Sequence, residues 1–80
     1  MAVKDTVADR FMQICQEREI RPNELANISG VTPSTVYSLL DKRRRDVSIT
    51  TIKKLCDGLE MTLGEFFNTP EFNNLEQEII

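Results

Sequence analysis

Residues 22–40 are PNELANISGVTPSTVYSLL, and the rest of the chain is organised around them. It divides into two short helices around a tight turn. Leu25 and Ala26 fall on the inner face of the first. Gly30 ends that helix, because a residue without Cβ takes the left-handed backbone of a helix end at little cost. Val31 supplies the apolar contact after the turn. Thr32 is a good N-cap, and Pro33 stands at the first helical position, where its missing N–H is no loss. Val36, Leu39 and Leu40 form the inner stripe of the second helix at spacings of three and four. Ala26 is small, so the second helix is free to cross close over the first.

A unit of this kind is either a plain αα corner in a small helical protein or a DNA reader whose second helix lies in the major groove. The rest of the chain bears on the choice. Eighty residues make one small domain with one core. The apolar content of 40 % suits a helical bundle and is too high for a disordered chain. Three glycines, three prolines and no alternating apolar pattern argue against strands. No apolar run approaches membrane-spanning length, and no signal-peptide pattern is present. Cys15 and Cys56 both fall on apolar helical faces and read as free buried thiols of a reducing compartment, with a buried disulfide between them as the alternative.

The net charge of −3 looks wrong for a DNA binder, but it is unevenly distributed. Residues 21–56 hold seven cations against three acids, a local balance of +4; the remainder holds three cations against ten acids, a balance of −7. Phosphate attraction acts within about a Debye length, roughly 8 Å at physiological salt, so a basic face on an acidic body is compatible with DNA. The plain alternative is a solvated surface of mixed charge.

Along the chain, residues 1–5 are expected to fray. Thr6 is placed to cap a first helix running to about Arg18, with Val7, Phe11, Ile14, Cys15 and Arg18 on its inner face. Ile20 anchors the link to the second helix, and Pro22 marks that helix's first position. Arg21 then falls at or beside the N-cap, where its charge opposes the helix dipole unless an anion is near. Ser48 is a plausible cap for a fourth helix whose stripe is Ile49, Ile52, Leu55, Cys56 and Leu59, with Lys53 and Lys54 outward. Gly58 weakens its last turn, and Glu60 stands where glycine or asparagine is more usual. Thr62 with Glu65 reads as a capping box for a fifth helix, with Phe66 and Phe67 plugging the base of the bundle. Thr69–Pro70 restarts a short helix in which Phe72, Leu75 and Ile79 share one face. That segment is too short to be stable alone and needs a surface, in its own bundle or in a second copy.

The order of Leu25, Ala26, Gly30, Val31, Val36 and Leu39 resembles the helix–turn–helix of phage Cro/repressor-type (XRE-like) regulators, and the likeness extends over roughly residues 10–67. The run from Ser48 to Leu59 is similar to that family's fourth helix, and Met61–Phe67 to its fifth. The stretch LCDGLEMTLGEFFNTPEF, residues 55–72, is particularly like small bacterial members. The resemblance implies an all-α, compact five-helix repressor-like DNA-binding domain over residues 1–69, with the helix–turn–helix at about 22–41. Residues 70–80 follow as a short C-terminal segment, with room for an extra helix and a dimer contact.

It also implies a site. Thr32, Pro33, Ser34, Tyr37 and Ser38 form the exposed face of the third helix, with Pro33, Ser34 and Ser38 where sequence-reading side chains usually lie. Serine donates to or accepts from either base type, and Pro33 offers only apolar contact. Tyr37 either reaches a phosphate or base edge or is a half-buried ring with its hydroxyl in water. With no Arg, Asn or Gln on this face, modest direct specificity is expected, with more carried by backbone contacts and DNA shape. Lys42, Arg43, Arg44 and Arg45 follow directly; in the family this loop lies along the DNA backbone, and Lys42 takes the place of a frequent loop glycine. Arg21 joins them as a phosphate contact. Pro22 stands where the family usually has a phosphate-contacting glutamine and lacks its donors. Cys15 and Leu40 occupy positions that carry a paired Arg and Glu in many members; replacing both by apolar groups leaves no buried unpaired charge.

Catalysis is set aside: there is no histidine, no Gly-rich phosphate loop and no evident nucleophile–base pair or metal-ligand cluster, so no cofactor or metal is expected. Two function classes remain. One is a cytoplasmic, bacterial or phage-encoded transcriptional regulator, a repressor by resemblance, binding double-stranded DNA as a homodimer. The alternative is a protein-interaction module or antitoxin component on the same scaffold, whose acidic C-terminal segment binds a protein partner.

Overall fold

In the computed structural model, residues 2–79 are described; Met1, within the stretch expected to fray, and Ile80, at the end of the C-terminal segment, lie outside them. The described residues form six helices: α1 Val3–Arg18, α2 Pro22–Ser29, α3 Pro33–Leu40, α4 Ile49–Gly58, α5 Leu63–Phe67 and α6 Pro70–Asn73. No strand is present among the described residues. One core, built from Val7, Phe11, Ile14, Leu25, Val36, Leu39, Ile52, Leu55, Leu59 and Phe66 among others, takes side chains from α1 to α5 and the turns between them. Cys15 and Cys56 are both buried in it as free thiols, and burial pushes the pKa of each upward.

Three helices end the same way. Glu19, Gly30 and Glu60 each adopt a left-handed backbone, with φ of 54°, 69° and 58°. In each case the next residue's N–H reaches back five positions: Ile20 to Cys15, Val31 to Ala26 and Met61 to Cys56. This closes otherwise unpaired carbonyls, and the apolar Ile20, Val31 and Met61 then pack on the core. Only Gly30 takes this backbone without steric cost; the two glutamates occupy it because the chain must turn there.

The first helix starts earlier than expected. Its N-cap is Ala2, with no side-chain cap, and Asp5 in the first turn meets the positive end of the dipole. Thr6 is 5 % exposed inside the helix, not a cap, and residues 3–5 are helical. Arg18 is also not part of the inner stripe; it is an exposed residue whose Nη1 donates to the Leu59 carbonyl at 2.6 Å. The other caps match their residues. Thr32, Ser48, Thr62 and Thr69 accept from the N–H three residues on, and Thr62 and Glu65 form the reciprocal capping box.

Gly58 does more than weaken a helix end. A Cβ built there would fall 2.2 Å from Ser29 Oγ and 3.0 Å from the Ile28 carbonyl oxygen and Ser29 Cα, so α4 crosses α2 closely enough that any larger residue must turn the Ser29 hydroxyl and push the α2 backbone back. At the opposite end the four phenylalanines stack: Phe11 lies 4.4 Å from Phe66 by ring centroid, and Phe72 lies 4.9 Å from Phe67. The face expected for Phe72, Leu75 and Ile79 does not persist, because α6 ends at Asn73; Phe72 packs on the core while Ile79 is 88 % exposed. Among the described residues no helix is long and apolar enough to cross a membrane.

Candidate nucleic-acid interface

α3 is held by its inner face. Val36 and Leu39 are buried and Leu40 is partly buried against the core. A helix pinned at these positions turns the intervening ones outward. Thr32, Pro33, Ser34 and Ser38 are exposed, and Tyr37 is 52 % exposed, so its ring is not a core element. The hydroxyls at the start of α3 are already linked. Thr32 Oγ1 accepts from the Thr35 N–H at 3.3 Å and lies 3.0 Å from Ser34 Oγ and 2.9 Å from Thr35 Oγ1. Ser34 thus retains part of its hydrogen-bonding capacity, and Ser38 stands one turn further along the same face.

A hollow runs between α3 and the start of α4, bordered by Ser34, Ser38, Arg44, Ser48 and Thr51, with the Asp46 carboxylate also on its wall, where it offsets part of the Arg44 charge. The sequence marks Ser48 only as a helix cap; the turn from residue 41 to 48 is what brings it and Thr51 beside α3. Here the N-terminus of a ten-residue helix, hydroxyl groups and a guanidinium share one concavity. Backbone N–H groups at a helix start favour negative charge, so the arrangement is chemically suited to an anion such as a phosphate.

The four consecutive cations are all exposed but are not equivalent. Lys42 Nζ lies 2.6 Å from Asp9 Oδ1 on α1, and this hydrogen bond raises the lysine pKa. Arg43 forks onto Asp41, with Nε 3.1 Å from Oδ1 and Nη2 3.1 Å from Oδ2. The Arg43 backbone N–H also donates to Oδ1 at 3.0 Å. The Arg43 bonds hold the Asp41 carboxyl well below the usual range, at about 2. Arg44 and Arg45 have no acidic partner within ion-pair distance among the described residues. The backbone at Lys42 is not left-handed, so this position does not require the loop glycine of related sequences.

Arg21 is the exposed N-cap of α2, and Pro22 is its first residue. Glu24 Oε1 accepts from the Arg21 N–H at 3.3 Å. A guanidinium has no acceptor, so the reciprocal half of a capping box cannot form and the Arg21 side chain is left to solvent or an anion. Lys53 is paired with Asp57 one turn along α4.

Helix–turn–helix geometry, an exposed α3 face and an adjacent cationic loop define a class of nucleic-acid-binding domain. Residues 10–71 match the model of the Cro/C1-type HTH DNA-binding domain, and the chain belongs to that family. The structure is similar to that of prophage Lp1 protein 11, with a TM-score of 0.81 and 28 % sequence identity over 94 % of this chain and 100 % of that one. Comparison with curated protein sequences yields no match.

Proposed function

We propose that this DNA-binding domain is a sequence-specific transcriptional regulator, a repressor working in a bacterial or phage-infected cytoplasm, which lays α3 in the major groove of double-stranded DNA. The observation that carries the reading is the side on which α3 is exposed. Burial of Val36 and Leu39 turns Ser34, Tyr37 and Ser38 outward, and Ser34 and Ser38 share one hollow with Arg44 and the start of α4. In this reading Pro33, Ser34 and Ser38 meet base edges, with Thr32 and Tyr37 beside them. Arg21, Lys42, Arg43, Arg44 and Arg45 meet phosphates, which set register and most of the affinity.

The operator is palindromic and the active form a homodimer, with two copies of α3 roughly 34 Å apart. The C-terminal segment from residue 70 supplies the dimer contact. Its support is the exposed Ile79 and an apolar groove along Phe72 and Leu75 beside α1. Solution mass tests this part: wild type is expected at twice the chain mass, and Leu75→Ser with Ile79→Ser at one chain mass. A double variant that keeps the dimer would contradict the assignment.

Selection from a random duplex library at two salt concentrations tests the function. Enriched palindromes whose affinity falls steeply with salt are expected. Absence of binding above background at low salt would overturn the regulator reading in favour of a protein-interaction module.

A further inference from the structure

The end of α3 differs from the ends of α1, α2 and α4. Its C-cap, Asp41, has an extended backbone with φ of −76° and ψ of 110°, so no left-handed residue closes the last carbonyls. A side chain from another helix reaches them instead. Lys4 Nζ, from the first turn of α1, lies 2.7 Å from the Asp41 carbonyl oxygen and 3.4 Å from that of Ser38. Lys4 is 2 % exposed, the single buried ionisable side chain among the described residues that is neither a cysteine nor surface-paired. A lysine is almost never buried without compensation, and here the compensation is the end of the recognition helix. The ammonium adds a second bond to carbonyls that already accept a backbone N–H, Ser38 from Asp41 at 3.3 Å and Asp41 from Arg44, and sits at the negative pole of the helix dipole.

The same Asp41 oxygen also accepts the Arg44 N–H at 3.0 Å. One carbonyl therefore joins three things: the last turn of α3, the cationic loop and α1. α3 has only eight residues and is marginal by itself, so its pitch against the body depends on such fixings. Burial pushes the Lys4 pKa down; among the neighbouring charges Asp41 and Asp5 favour the ammonium and Arg44 and Arg45 oppose it.

We propose that Lys4 is a positioning residue for DNA reading: by holding the Asp41 and Ser38 carbonyls it sets α3 and the Arg44–Arg45 loop at a fixed angle to the body. This rests on the reading of α3 as the base-contacting helix. Lys4 touches no base; it acts through the backbone of α3. Losing it frees the helix end, so base contacts suffer while the loop cations still attract phosphate.

Two variants test this, Lys4→Met, which keeps length without charge, and Lys4→Arg, which keeps charge. In Lys4→Met, amide hydrogen exchange is expected to accelerate roughly tenfold at Asp41 and Arg44, with Leu25 and Ile52 unchanged. Its affinity for a selected duplex is expected to fall roughly fivefold or more relative to a scrambled duplex, whose binding stays within about twofold; Lys4→Arg recovers most of that ratio. Exchange unchanged at Asp41 and Arg44, or raised equally throughout the fold, would overturn the proposal, as would an unchanged ratio of specific to non-specific affinity. If wild type binds no duplex, the regulator reading fails, while the exchange data still decide whether Lys4 holds the helix end. Should Lys4→Met not fold, the wild-type ammonium protons answer the question: slow exchange at Lys4 against fast exchange at Lys54 is expected, and equal rates would refute the contact.

Discussion

Lys42 Nζ lies 2.6 Å from Asp9 Oδ1, tying the cationic loop after α3 to the first helix. With Arg43 forked on Asp41, two of the four consecutive cations are engaged with carboxylates of the same chain, while Arg44 and Arg45 have no such partner among the described residues. The like charges that would repel one another in the free protein are thereby partly compensated. A phosphate approaching Lys42 competes with Asp9 for the same ammonium. Asp9→Asn is therefore expected to tighten duplex binding and to steepen the dependence of log K on log salt by up to about one unit. A salt slope identical to wild type would show that Lys42 does not meet phosphate. Since both groups are about half exposed, little change in folding stability should accompany it.

Much of this arrangement was legible in the sequence. Gly30, the Thr32 cap and the Val36–Leu39 stripe each act locally, within one or two turns, and each was readable from residue type and spacing. The same holds for the Thr62–Glu65 box and the Thr69–Pro70 restart. What escaped were features defined by something distant in sequence. Nothing near Lys4 announces that its ammonium will meet carbonyls 34 and 37 residues away. Arg18 fits an inner-stripe spacing, yet its guanidinium reaches the end of α4. Arg10 likewise donates to the Phe66 and Glu65 carbonyls at the end of α5. The three cations of α1 thus serve three helix ends, and a tally of charge alone counts them as surface. The candidate site was legible as a set of residue types; the hollow shared with Ser48 and Thr51 depends on the path of the loop.

Gly58 offers a sharp contrast between local and tertiary preference. In an isolated helix Gly→Ala gains about 1 kcal/mol. Here the new methyl meets Ser29 Oγ and the Ile28 carbonyl, and backbone cannot give way as a flexible side chain can. Gly58→Ala is expected to destabilise by about 1–3 kcal/mol in denaturant unfolding. A variant more stable than wild type would mean that α2 and α4 do not approach this closely.

Glu60 makes the opposite case. Its left-handed backbone costs an L-residue about 1–2 kcal/mol, and its side chain is exposed. Glu60→Gly is expected to raise stability by about 0.5–1 kcal/mol after the entropy of glycine in the unfolded chain is subtracted. A loss of stability would show that the carboxylate makes a contact the turn needs.

Asp41 gives a pH signature. Its carboxyl is held down at about 2 by Arg43, against an ordinary value of about 3.9. A depressed carboxylate stabilises the fold above its unfolded value, and that contribution fades as pH falls from about 4 to about 2. Carboxyl-carbon NMR is expected to show this low midpoint in wild type and a return toward the ordinary value in Arg43→Ala. A wild-type midpoint near 3.9 would remove the fork from the solution structure.

The central claim is that the exposed face of α3 reads base sequence while the loop supplies phosphate contacts. Duplex selection with Ser34→Ala beside wild type tests it most directly. The variant is expected to enrich different bases at symmetric positions of the palindrome and to keep the wild-type salt slope. Enrichment of the same sequence by both proteins would contradict it.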